Sequence, residues 1–451
     1  MFGHSLICFM ARSRMAAAVA GGFLREGCGC GVVRAMRLVT VLNRCYHFKG
    51  FVYEEAHFCR ERKDAVEVRV RAREGSRPYC SGCGKRCAGY DRLPERRFEF
   101  IPLWGFAVFF LYARRRVQCR DCGIVAEILP WAEGKQTLTN AYMQYLANWA
   151  RKLSWLEVAR TFRTSWQKVF HSVEWLVAWG LERRVLGPIK GVGVDEIAYN
   201  RGHKYLTLVY QIEANMVRLL WVGKERTVKT FHGFFDMLGK ETCAGIEFVC
   251  SDMWRPYLRV VRERCGQALH VLDRFHIVSK MNMALDDVRA SEARRLAAAG
   301  RRPLLKHSRW CLLKRPGNLT SGQRGRLRDL VRCNLRTARA YLLKEDFQQL
   351  WDYRSVAWAG KFMDRWCTAA LRSRIKPMKS VARMIRRHRE LILNWFRAKG
   401  EISNGVVEGL NNKAKLTMRK SYGFRSPEVL EIALLHALGK LPEPKLAHEF
   451  W

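Results

Sequence analysis

Two short apolar runs in the middle of the chain each end on a carboxylate, and no other feature restricts the fold as tightly. Val192-Gly193-Val194 leads into Asp195-Glu196, and Ile246-Glu247-Phe248-Val249-Cys250-Ser251 leads into Asp252. Runs of this length and composition read as strands. Between them, Tyr205 to Ile212 and Val217 to Val222 read as two more, so the first acid sits on the leading strand of a meander. A helix starting near Tyr257 and a strand at Ala268 to Leu272 follow. An acid at the end of a buried strand loses its hydration, and two on adjacent strands demand a metal or a proton.

A third acid lies on a helix. In the segment 404–416, Glu408 and Asn412 stand at i and i+4, and Asn411 and Lys415 share a broad face with Glu408. Val407, Leu410 and Ala414 form the apolar stripe. Carboxylates on two strands and one helix can hold two Mg²⁺ (or Mn²⁺) ions about 3.5–4 Å apart for an in-line phosphoryl displacement. One acid alone reads as a surface charge or salt bridge; three in this arrangement argue for metal.

Charge names the partner. Lys and Arg number 81 against 41 Asp and Glu, a formal net charge of +40. Such an excess suits a polyanionic partner, of which double-stranded DNA is one, because each phosphate neutralised releases condensed counterions. A ribosome-associated protein would share this balance, so charge alone specifies no reaction. No uncharged apolar run of about 18 residues is present, and no membrane span is expected. The 16 Cys are scattered through a large chain, which points to a reducing, cytoplasmic setting in which the protein would meet the nucleoid. Residues 1–35 read as a non-native or dispensable extension. Met15 to Leu24 faintly resembles a signal peptide, but the segment from Met36 reads as the start of ordinary folded sequence.

Cys80-Ser-Gly-Cys83 and Cys119-Arg-Asp-Cys122 are two CxxC pairs, each followed by a glycine, Gly84 and Gly123. Four such thiolates resemble the two knuckles of a zinc ribbon holding a structural Zn²⁺; the alternative is buried or redox cysteine. Cys87 is a spare ligand or a free thiol. Val66 to Val70 alternates like a strand, and the apolar run Trp104 to Tyr112 reads as another. The basic run Arg114-Arg115-Arg116 would serve DNA phosphates.

Ser154 to Phe162 reads as a short helix with Ser154 as cap and Glu157 completing a capping box. Arg163-Thr164 breaks the pattern, and Ser165 caps a second helix running to Trp175. This is the layout of a helix-turn-helix, whose second helix enters the major groove. Gln167, Lys168 and His171 are its candidate DNA contacts. A plain helical hairpin would look similar.

These segments have a joint likeness. GVDEIAYNRGHKYLTLVYQIE, VCSDMWRPYLRVV with VLDRFHIVSKMN, and ISNGVVEGLNNKAKLTMRKSYGFRSPE resemble, in order, three catalytic segments of transposases in the ISL3 insertion-sequence family. MRLVTVLNRCYHFKGFVY and the twin CxxC pairs resemble that family's zinc-binding region, so the likeness runs from about Met36 to the C-terminus. The resemblance implies a DDE core of ribonuclease H-like fold, with Asp195, Asp252 and Glu408 as its catalytic, metal-holding acids. It further implies cleavage and strand transfer at terminal inverted repeats, and a homo-oligomer that handles two ends together. His203, Asp273 and His276 lie in matching segments as supporting groups, with Asn412; each histidine could equally be a satisfied core residue. Lys413, Lys415, Arg419 and Lys420 are candidate phosphate contacts, or a solvated helix face.

About 155 residues separate Asp252 from Glu408, far more than a ribonuclease H-like core needs. The expected architecture is therefore an α/β core with a mixed sheet (189–282 and 396–438), interrupted by a helical insertion (283–395). A zinc-binding domain (36–133) and a helix-turn-helix domain (138–186) precede it. The tryptophans of the insertion, Trp310, Trp351, Trp358 and Trp366, read mainly as core. A zinc-binding transcription regulator, an inactive transposase remnant and a structure-specific nuclease are the competing readings.

Overall fold

The computed structural model describes residues 37–200, 202, 204–398, 404–421, 423–424 and 426–446; the expected N-terminal extension and His203 lie outside them. The chain begins with a short helix, α1 (Leu38–Cys45), and a five-stranded sheet: β1 (Phe51–Phe58), β2 (Ala65–Ala72), β3 (Ala88–Leu103), β4 (Phe106–Cys119) and β5 (Gly123–Ala126). The strand order is β1-β2-β4-β3, with β5 pairing β4. Alternation drives this sheet: Val68 and Val70, then Phe98 and Phe100, then Val108, Phe110 and Tyr112 all fall on one buried face around Trp131. The strand expected at Val66–Val70 is β2. The run Trp104–Tyr112 is not one element. Trp104 and Gly105 form the turn, and β4 starts at Phe106. Both turn residues have positive φ, the geometry that a two-residue hairpin connection requires.

Three helices follow: α2 (Asn140–Lys152), α3 (Trp155–Thr161) and α4 (Trp166–Glu182). The expected capping box is present, with Ser154 accepting from the Glu157 N–H and Glu157 accepting from Ser154. Ser165 caps α4.

The second sheet is mixed, in the order β10-β9-β6-β7-β8. It comprises β6 (Gly191–Asn200), β7 (Lys204–Glu213), β8 (Met216–Gly223), β9 (Phe248–Ser251) and β10 (Leu269–Leu272). The first three form the antiparallel meander, and β9 and β10 join β6 in parallel. Helices α5 (Val228–Leu238), α6 (Lys240–Ala244) and α7 (Arg255–Arg264) lie between β8 and β10 in sequence. The phenylalanines of α5 and Tyr257 to Val261 of α7 cover one face of the sheet. The helices α15 (Asn404–Lys420) and α16 (Pro427–Leu438), together with α2 and α4, cover the other. Because β7 is sandwiched on both sides, Leu206 to Ile212 are all buried, which explains its nearly continuous apolar run.

Between β10 and α15 the chain is helical, as expected from the long gap. These helices are α8 (Arg274–Ala298), α9 (Arg309–Leu313), α10 (Ser321–Arg332), α11 (Arg336–Gln348), α12 (Val356–Arg372), α13 (Lys376–Arg387) and α14 (Arg389–Arg397). They build a separate core in which Trp351 and Trp366 are buried. Trp310 and Trp358 are exposed, with Arg309 and Lys361 over their rings. Among the described residues no helix is long and apolar enough to cross a membrane.

Candidate active site

The parallel pairing of β6, β9 and β10 decides where the acids go. Gly193 lies opposite Cys250, and Leu272 opposite Ser251. Two residues beyond Gly193 comes Asp195; Asp252 and Asp273 directly follow Ser251 and Leu272. Three neighbouring strands thus deliver three carboxylates to one end of the sheet. The Asp273 N–H donates to Ser251 O at 2.9 Å and sets this level.

Asp195 and Gly193 share the face covered by α15. A Cβ on Gly193 would stand 2.6 Å from Val407 Cγ2, so only glycine lets the helix come this close. That approach lets Asn411 Nδ2 donate to Asp195 Oδ2. Tyr210 Oη in turn donates to Asn411 Oδ1 at 2.7 Å, which fixes the amide orientation. Glu408, one turn earlier on α15, is exposed and within electrostatic reach of Asp273. Lys415 is within reach of Asp195. Asn412, expected beside the acids, is exposed; the buried position is Asn411. Residues 407, 410, 411 and 414 are the inward positions of the helix, so Asn411, which shares a face with Glu408, also lies along the apolar stripe.

Burial raises the Asp195 carboxyl above the usual carboxylate range, opposed by the Glu196 N–H that donates to it at 2.7 Å. Burial pushes Asp273 up to about 6, although Asp273 caps α8 and accepts the Phe275 N–H at 2.7 Å. His276 Nε2 lies 3.7 Å from Asp273 Oδ2 and 4.0 Å from Asp195 Oδ1, which joins the two acids. Carboxylates held this way gain from any cation placed among them.

Two further residues were not legible as part of this end. Glu196 points to the opposite face from Asp195, and its carboxyl is raised by burial. Arg226, on the β8–α5 connection, lies 2.6 Å from Glu196 and 3.4 Å from Asp252 Oδ2, with its guanidinium over the Trp254 ring at 4.4 Å. The Glu196 contact is electrostatic, since neither Arg226 Nε nor Glu196 Oε1 reaches hydrogen-bond alignment. Asp252 Oδ1 accepts the Trp254 N–H at 2.8 Å.

The cysteine pairs converge at the far end of the first sheet. Cys80, Cys83, Cys119 and Cys122 have all four Sγ atoms within 4.8 Å of one another, the one such cluster of three or more ligands among the described residues. Cys83 and Cys119 are 3.5 Å apart, near the edge of about 3.8 Å that tetrahedral bonds of about 2.3 Å imply. N–H groups of Cys122 and Asp121 pull Cys119 down to about 6, whereas contact with the neighbouring cysteines helps push Cys122 up to about 12. Four thiolates cannot coexist here without a cation, so the donor set fits Zn²⁺.

The basic residues divide into exposed and committed groups. Gln167 and His171 are exposed one turn apart on α4. Lys168 is ion-paired with Glu99 at 2.6 Å. The run Arg114–Arg116 is engaged within the protein: Arg114 donates to Glu127 O and Gly134 O, Arg115 pairs with Glu127, and Arg116 pairs at the surface with Asp91. The charge run therefore cross-braces the first sheet, because alternate positions of a strand must meet something. On α15, Lys413, Lys415 and Arg419 are exposed, while Lys420 is half-buried and donates to Ala150 O at 2.8 Å.

Comparison with known proteins gives one consistent result. Residues 192–434 match the ISL3 family of DDE transposases. The transposase for insertion sequence element IS1557 of Mycobacterium tuberculosis is 32% identical over 425 residues, covering 87% of this chain and 94% of that protein. The transposase for insertion sequence element IS1001 of Bordetella parapertussis is 31% identical over 356 residues, covering 77% of this chain and 86% of that protein. The matched segment takes in the second sheet from Val192 onward, its acids, α15 and most of α16, and the chain belongs to the ISL3 family of transposases.

Proposed function

We propose that this chain binds the ends of an insertion sequence and catalyses metal-dependent cleavage and transfer of DNA strands. Asp195, Asp252 and Glu408 are the catalytic carboxylates in this reading. One observation carries it: parallel β6 and β9 send Asp195 and Asp252 to the same end, where α15, admitted by Gly193, brings Glu408's helix against Asp195. The donor chemistry fits divalent metal, because burial raises the carboxyls of Asp195 and Asp273, and a cation placed among the acids at this end would offset that burial. Two Mg²⁺ or Mn²⁺ ions held by the three acids would supply activation of a water or 3′-hydroxyl and charge stabilisation on the leaving oxygen. Asn411 and His276 orient Asp195, and Trp254 N–H orients Asp252, so the acids face the DNA already aligned. The five-stranded mixed sheet, with a helical insertion between its last strand and the covering helix α15, is consistent with a ribonuclease H-like core over 189–282 and 396–438.

The remaining parts take roles around that chemistry. The four cysteines hold a structural Zn²⁺ in the domain 36–133. Helices α3 and α4 act as a helix-turn-helix, with Gln167 and His171 toward the major groove. Lys413, Lys415 and Arg419 lie along phosphates beside Glu408. Two copies work together, since both element ends must be cut in one event.

The test uses the full chain and the DNA that flanks its gene. With Mg²⁺ or Mn²⁺, the wild type should give 3′-end cleavage and joined products. Glu408→Gln, Asp195→Asn and Asp252→Asn should each reduce both to background while retaining DNA affinity. Cleavage without joining would make the chain a nuclease; binding with neither product would withdraw the assignment of the acids.

A further inference from the structure

The tip of the β3–β4 hairpin places a tryptophan where the chain gains nothing from it. Trp104 has φ 51° and Gly105 φ 86°. A two-residue turn of this kind favours Asn, Asp or Gly at its first position, and a bulky side chain there strains the backbone. Packing elsewhere in the protein does not offset that strain, because Trp104 is 84% exposed. Phe58, 60% exposed at the end of β1, lies with its ring 5.5 Å from Phe106 at the start of β4. Strand pairing brings these rings to the same end of the sheet as Trp104, since Ala65 faces Ala107 and Phe106 faces Leu103. A strained, exposed indole at the same sheet end as an exposed phenylalanine calls for an external partner.

The surroundings of the tip select the partner. Its acids are already matched: Glu61 with Arg97, Asp64 with Arg62 and Arg163, and Glu99 with Lys168. Arg60 and Lys63, on the β1–β2 loop, have no acidic partner among the described residues, and both are exposed. Ala107 N–H donates to Asp64 O at 2.9 Å and holds this loop beside the tip. The same end faces the α3–α4 turn across a cleft of about 330 Å³, lined by Gly105 and Ala107 on one side and Phe162 and Arg163 on the other.

We propose that Trp104 is a stacking element for DNA, meeting an unpaired or unstacked base beside the duplex held by α3 and α4, with Arg60 and Lys63 on the flanking phosphates. Aromatic side chains stack on any base, and basic neighbours track the backbone. This inference rests on the reading of α3 and α4 as DNA-binding.

The experiment measures affinity of the full chain for two probes from the gene's flanking DNA, one an intact duplex and one carrying a short single-stranded gap. Trp104→Gly removes the indole and the strain together, so its melting temperature should stay level or rise. Its affinity for the gapped probe should fall about tenfold, with the intact duplex unaffected, and Trp104→Phe should retain most of the gapped-probe affinity. Gln167→Ala/His171→Ala should weaken both probes; if it weakens neither while Trp104→Gly still loses the gapped one, stacking stands and the helix-turn-helix reading fails. Unchanged gapped-probe affinity in Trp104→Gly would overturn stacking. So would equal losses on both probes, or a change in the oligomer's mass on sizing, which would make the tip a contact between copies.

Discussion

At the residue scale, the acids at the sheet end differ in how far burial disfavours their charge, and that difference is measurable. Asp273 rises from an ordinary 3.8 to about 6, chiefly through burial. A carboxyl whose folded pKa is raised contributes stability that is full below about pH 4 and lost as pH climbs through about 6. Asp273→Asn removes that titration and can still accept the Phe275 N–H as a cap. In chelator-treated protein, the two chains should melt together near pH 4, and the variant should become more stable by up to about 3 kcal/mol above pH 6. A difference that does not vary with pH would sink this account. The same scale shows what sequence could reveal. Asp195 and Asp252 were readable because an acid ending an apolar run is unusual; Asn411 was readable on Glu408's face, but its burial against Asp195 shows only in the fold. Arg226 gave no signal, since its two partners come from β6 and from the end of β9, and only the folded sheet brings those together.

At the element scale, the proposed zinc knuckles depend on a backbone feature as well as on the thiols. A Cβ on Gly82 would stand 2.8 Å from Cys122 Sγ, while the Gly82 N–H lies 3.3 Å from Cys80 Sγ. Gly82→Ala should therefore displace one ligand and release zinc to a chelator at least about tenfold faster than wild type, followed with a colorimetric zinc indicator. Cys80→Ser should lose the metal outright. Equal release rates for Gly82→Ala and wild type would show that the knuckle tolerates the methyl group. Elements with local signals were legible: the Ser154–Glu157 box, the Ser165 cap and the β2 alternation all appear in the fold. Strand β3 was not. It carries Pro94 and six charged side chains, which an edge strand accommodates because one side of its backbone needs no partner. The Trp104 turn was also missed, because turn signals are read from Gly, Asn and Asp and here the first position breaks that rule.

At the scale of the whole molecule, the expected boundary between the helix-turn-helix region and the second sheet is not a boundary in packing. Tyr142, Leu146, Val169, Val173 and Leu176 share one apolar core with Leu206, Leu208, Leu219, Leu410 and Leu434. The C-terminal segment seals the joint: Gln144 donates to Pro444 O at 3.0 Å, and Arg151 pairs with Glu443 at 2.6 Å. The insertion, by contrast, has its own core and meets the sheet through Leu272 and through Asn394, which donates to His270 O at 2.8 Å. A helix pair that shares a core with the sheet cannot swing freely. In the proposed function, the base pairs read by α4 and the phosphate facing Asp195 are then separated by a length fixed in the fold. Gly180 tests this directly. A Cβ there would lie 2.7 Å from Leu441 Cβ and 2.9 Å from Pro442 O, and the second contact is backbone that cannot rotate away. Gly180→Val should cost about 1–3 kcal/mol by overpacking and lower one joint transition of α2–α4 and the sheet by about 2–10 °C in calorimetry. If instead the helices melt early and the sheet keeps its wild-type transition, the shared core is not energetically continuous, and the spacing between recognition and chemistry must be set when DNA binds.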